Sequence, residues 1–141
     1  MNTYESKICT LTRTQADAYD VLSDLRHLEV YADRIPADKV KNLHFEADSV
    51  NFEVAMLGPL TLRIVEREMP QMLKFGVDNA PVAANLWIQL AQNRDGVTQM
   101  KLTLRVDLPF MLKAMVGSRI QEGIDSVAAG ITAVLNGNPS I

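Results

Sequence analysis

The chain has one cysteine, two histidines and one tryptophan in 141 residues. Cys9 alone permits neither an internal disulfide nor a cysteine metal cluster. A lone thiol reads more readily as a small apolar side chain than as a nucleophile. His27 and His44 are not spaced as a metal-binding pair, and each reads as a surface or capping residue. No glycine-rich phosphate loop and no nucleophile elbow occurs. Neither a metal nor a cofactor is therefore expected. Excess positive charge is also missing: 14 Lys and Arg stand against 17 Asp and Glu, for a net charge of −3. Without a dense basic cluster, this balance argues against a general nucleic-acid binder. No apolar run is long enough to span a membrane. The polar stretch from Met1 to Lys7 does not read as a signal peptide, so a cytoplasmic setting is expected.

What is present suits a globular core. Hydrophobic residues make up 48% of the chain and charged residues 22%. A chain of this length buries roughly two-thirds of its unfolded surface, and one domain over residues 1–141 is the expectation. The longest unbroken pattern lies at the end. From Phe110 to Asn136, Val116, Ile120, Ile124, Val127, Ile131 and Val134 fall on one helical stripe, with Leu135 at its edge. Such a face needs a broad apolar surface to lie against.

The preceding chain supplies that surface. Tyr4 to Arg13 reads as a first strand with poor alternation. Thr14 is a suitable N-cap, with Asp17 in the first turn. Ala18, Val21, Leu22 and Leu25, then Leu28, Tyr31, Ala32 and Ile35, keep helical spacing until Pro36. This is one helix, or two with a bend near Ser23–Asp24. From Val40 to Leu108 the period becomes two. The segments Lys41–Ala47, Val50–Met56, Leu60–Glu68, Gln71–Asp78, Val82–Gln92 and Val97–Leu108 read as strands. Turns fall at Asp48–Ser49, Gly58–Pro59, Met69–Pro70, Asn79–Pro81 and Arg94–Gly96. Short connections imply antiparallel hairpins, and one apolar face per strand implies a sheet covered on one side. The last helix is the cover, and the early helical pair closes an end.

This order resembles the START-like, or SRPBCC, superfamily of polyketide cyclase-like and lipid-transport-like proteins. The local carriers are Val21–Leu28 through Ile35–Pro36 after strand one, and the long helix after Leu108–Pro109. The resemblance implies an α+β helix-grip fold: a curved antiparallel sheet of about seven strands wrapped around a long C-terminal helix, with two short helices after strand one. It also implies an apolar cavity between sheet and helix. The chain departs from two subgroups. It lacks the glycine-rich loop of the plant members and the tryptophan motif of the chaperone-activator relatives.

The inner face and the helix stripe supply the candidate cavity lining: Phe52, Val54, Met56, Leu62, Ile64, Glu66, Phe75, Leu86, Ile88, Met100, Leu102, Leu104, Lys113, Val116, Ile120 and Ile124. Two of these are charged. Parity with Leu60, Leu62 and Ile64 turns Glu66 inward and Arg67 outward, and Lys113 sits on the helix stripe. Either both reach water near element ends, or they hold a polar ligand head at a cavity mouth. Gly117, Gly123 and Gly130 flank the stripe and suit close packing, a bend or space for a ligand. Trp87 falls on the outer sheet face by parity, unless a bulge buries it. Exposed there, it would mark a homodimer or protein-partner surface. Three functions follow in rank: binding of a small hydrophobic molecule (lipid, polyketide or aromatic), protein interaction without a ligand, and a cyclase or dehydratase. The last would need an acid–base group among Glu66, Tyr19, Tyr31 and Lys113.

Overall fold

A computed structural model of the chain describes residues 2–34, 40–54 and 58–137. The elements in order are β1 (Asn2–Glu5), β2 (Cys9–Leu11), α1 (Gln15–Leu22), a run of 3₁₀ turns (Leu25–Arg34), β3 (Val40–Phe45), β4 (Ser49–Val54), β5 (Gly58–Glu68), β6 (Met72–Asp78), β7 (Ala84–Gln92), β8 (Thr98–Val106) and α2 (Phe110–Asn136). All strands form one curved antiparallel sheet in the order β1-β8-β7-β6-β5-β4-β3, with β2 extending the β1 edge along β8. The fold is therefore α+β, and the long last helix spans the residues its periodicity predicts.

Three departures from simple alternation shape the sheet. The first predicted strand is broken into β1 and β2. Between Glu5↔Thr103 and Cys9↔Met100 it spends one residue more than β8 does. Ser6 fills the break: its amide donates to the Leu102 carbonyl at 2.8 Å, and its hydroxyl accepts the Leu102 amide at 2.9 Å. A second extra residue lies in β3 between Lys41 and His44, where Asn42 takes a positive φ of 54°. That bulge lets Val40 and Leu43, which differ in parity, face the same way. The third lies in β5 between Ile64 and Glu66, and it overturns two parity assignments. Glu66 is exposed, not inward. Arg67, predicted outward, stands opposite the buried Leu73 and so shares its face. There its guanidinium donates to Asp48 Oδ1 at 2.7 Å and to the Ser23 carbonyl at 3.3 Å. Gly58 and Pro59, read as a turn, instead begin β5, with Gly58 paired to Val54 at a φ of 80°. The chain bends after α1, as one of the two helical readings allowed: Ser23 caps α1, and the 3₁₀ run begins at Leu25. Ile35 and Pro36 lie outside the described residues.

Ala18, Tyr19 and Leu22 of α1, with Leu25 and Leu28, share one buried core with Leu73, Leu90, Met100 and Leu102 of the sheet. Ile124, Ala128, Ile131 and Leu135 of α2 complete this core. α2 lies against β1, β2 and β8 and against the 3₁₀ run. Polar bonds fix it there. Gln121 Nε2 donates to the Glu5 carbonyl at 2.7 Å, and the Lys7 amide donates to Asp125 Oδ1 at 3.0 Å. Asn136 accepts the Thr12 amide at 2.8 Å and donates to the Thr10 carbonyl at 2.9 Å. No described helix is long and apolar enough to cross a membrane.

Candidate functional site

Because α2 sits toward the β1, β2 and β8 side, the concave face of the other strands is left with room above it. A cavity of about 180 Å³ lies there. The 3₁₀ run contributes Leu25 and Leu28; β3 contributes Val40, Leu43 and Phe45; β4 contributes Val50 and Phe52. Leu62, Phe75, Leu86 and Ile88 come from β5, β6 and β7, and Val127 and Ile131 from α2. Every described lining side chain is hydrocarbon. Away from the bulges the strands alternate and present apolar residues to the cavity, with Asn51, Glu53, Arg63, Lys74 and Gln89 on the outer face. Val127 is 38% exposed and marks the open side.

Of the residues expected to line a cavity, Phe52, Leu62, Phe75, Leu86 and Ile88 do so. Ile64, Met100, Leu102 and Ile124 are buried in the packed core instead. Val54, Leu104, Val116 and Ile120 are half-buried away from this cavity. For Met100, Leu102 and Ile124 the reason is the sideways placement of α2, which closes the β1, β2 and β8 side of the sheet and leaves the other strands open. Glu66 and Lys113 are exposed. The β5 bulge turns Glu66 out, and Lys113 lies on the exposed start of α2 with Phe110, Met111 and Met115. Neither is among the described lining residues of the cavity. Met56 lies outside the described residues. Sequence reasoning passed over Leu25, Leu28, Val40, Leu43, Phe45, Val50, Val127 and Ile131. The shared parity of Leu43 and Phe45, and the helical spacing of Leu25 and Leu28, were the available signals.

Among the described residues the lining carries no titratable group. Tyr19 is buried, and burial pushes its phenol pKa up against the opposing charge of Arg67, but it packs in the core and not at the cavity. The side chain of Tyr31 is outside the described residues. His27 is exposed, with Nδ1 2.8 Å from the Val21 carbonyl, and His44 is exposed beside Glu46 at 3.4 Å. Cys9 is half-buried, its Sγ 3.6 Å from the Lys7 carbonyl. Trp87 lies on the outer face, half-buried, with Lys74 Nζ 5.4 Å from its ring centroid. That ammonium is placed for a cation–π contact and covers part of the ring.

The sheet, the early helical segment and the long closing helix define the START-like, helix-grip fold. No family model and no curated protein sequence matches the chain. Solved structures do match over nearly its whole length. A Thermus thermophilus protein is 15% identical, with a TM-score of 0.67 over 95% of this chain and 97% of that one. A START superfamily protein from Mycobacterium smegmatis is 12% identical, with a TM-score of 0.60 over 94% and 96%. The Aha1 dimer from Colwellia psychrerythraea is 10% identical, with a TM-score of 0.60 over 96% and 97%. At these identities the likeness establishes the fold alone.

Proposed function

We propose that the chain binds a small hydrophobic molecule in the cavity between the sheet and α2. One observation carries this reading: the described lining consists entirely of apolar side chains. By the scale of enclosed engineered cavities, 180 Å³ of empty apolar space costs at most about 4 kcal/mol, and less where it opens to solvent beside Val127. Against a typical stability of ~5–15 kcal/mol, even part of that cost supports a use for the space. The lipid, polyketide or aromatic nature of the ligand is part of the proposal. The enzyme reading has no acid–base group to rest on among the described lining residues. The test compares the mass of gently purified protein under native and denaturing conditions, with identification of any released compound. It is paired with titration of the stripped protein by a panel of apolar compounds. Binding that shifts the resonances of Leu62 and Ile88 supports the proposal. A ligand-free protein that none of the panel perturbs sinks it.

A second reading, self-association, is favoured by a separate observation. Phe110, Met111, Leu112 and Met115, at the start of α2, are exposed by 86%, 75%, 41% and 71%. One of the solved structures with this fold is a dimer. A second copy of the chain would cover this surface rather than the one near Trp87. Sedimentation should then show a dimer that Met115→Asp dissociates. A monomer across the micromolar range would end this reading.

A further inference from the structure

Two properties of the cavity narrow its occupant: its size, and the lack of a partner for a polar group among the described lining side chains. An engineered cavity of ~150 Å³ lined by Leu, Ile and Phe stays dry and binds benzene. Sites for drug-sized ligands begin at roughly 300 Å³. At about 180 Å³ this cavity stands close to the first and well short of the second. One aromatic ring with a small alkyl group fills it, whereas a sterol or a full fatty-acyl chain would have to project through the open side beside Val127.

Polarity is constrained as strictly. Three phenyl rings, Phe45, Phe52 and Phe75, stand on three different strands around the space. The backbone of β4 and β6 is paired on both edges, including Phe52↔Leu60 and Phe75↔Leu86, and the edge strand β3 is paired to β4 through Phe45↔Val50. No described side chain in the lining can donate or accept a hydrogen bond. A hydroxyl or carboxylate held inside, away from the open side, therefore loses its hydration and gains no partner from the described lining side chains.

We infer that this cavity takes a single-ring aromatic hydrocarbon, or an alkyl group of that size, and disfavours any polar or charged substituent held within it. The inference rests on the binding reading above and gives that reading a ligand class. Selection is by volume and by the cost of desolvation, with no hydrogen bond to fix the ligand's orientation.

The experiment is a titration of the full chain, followed by methyl NMR and calorimetry. The probes are toluene, phenol and benzoate, set against oleate and a sterol. Toluene is expected to bind saturably and to shift the methyls of Leu43, Leu62, Ile88 and Ile131. Phenol and benzoate should bind about tenfold or more weakly than toluene, the scale set by burying an unpartnered polar group. Oleate and the sterol, most of whose length would stay outside, should shift those methyls less than toluene does at the same concentration. Phenol or benzoate binding as tightly as toluene overturns the polarity rule. Oleate or the sterol binding where toluene does not overturns the size rule while leaving hydrophobic binding intact. If no probe of either size shifts the lining methyls, both this inference and the binding reading fall.

Discussion

Gly117 shows how one missing side chain sets a contact. A β-carbon built there would stand 3.2 Å from the hydroxyl oxygen of Tyr4. That hydroxyl is buried, with no hydrogen-bond partner among the described residues. The absent β-carbon thus gives room to a polar group that gains nothing from being there. Gly123, on the same helix, faces open space. The two glycines should therefore answer differently to alanine. Gly123→Ala should stabilise by up to ~1 kcal/mol, the helix-propensity difference. Gly117→Ala should gain less, or lose, because it crowds Tyr4. Tyr4→Phe should be neutral or stabilising, since it removes an unpaired buried hydroxyl. In that background Gly117→Ala should recover the full propensity gain. Urea unfolding of the four variants closes the cycle. An equal effect of Gly117→Ala in both backgrounds would show that the hydroxyl contact carries no energy.

At the scale of elements, the N-terminal strands depend on α2 as much as on the sheet. β2 is only three residues long, Cys9–Leu11. The carboxamide of Asn136 holds the chain beside it from both sides, through the Thr12 amide and the Thr10 carbonyl. Arg13 Nε adds a 2.6 Å bond to the Leu135 carbonyl, at the negative end of the helix dipole. Asn136→Ala should cost about 1 kcal/mol and speed hydrogen exchange at the Thr12 amide. Unchanged exchange there would mean that β8 alone holds β2. Elements with a steady period were legible in the sequence: α2, β7 and β8 stand where periodicity put them, within two residues at each end. Bulges were not legible, because an extra residue leaves no mark on composition and only reverses parity beyond it. The same kind of event misassigned Glu66 and Arg67 in β5, brought Val40 and Leu43 to one face in β3, and divided the first strand at Ser6.

For the molecule as a whole, the decisive fact is where α2 rests across the sheet. Periodicity identifies the apolar face of a sheet and of a helix, but not which strands the helix covers. That placement comes from the polar bonds between α2 and the chain from Glu5 to Arg13, contacts more than a hundred residues apart in sequence. It is why Met100, Leu102 and Ile124 became packed core while Leu43, Phe45 and Val50 came to line open space. The open space gives the folding and binding arguments a common test. Leu43→Phe and Leu62→Phe each add volume from a strand into the cavity, at positions that are half-buried. In a filled core, such overpacking costs ~1–3 kcal/mol. Into a void it should stabilise instead, by ~0.5–2 kcal/mol, and it should abolish binding of any apolar ligand. Thermal or urea unfolding gives the sign, and titration of the same variants gives the binding. Stabilisation with loss of binding would mean that the protein forgoes stability to keep the space for a ligand. Destabilisation with binding intact would show that the occupant lies elsewhere.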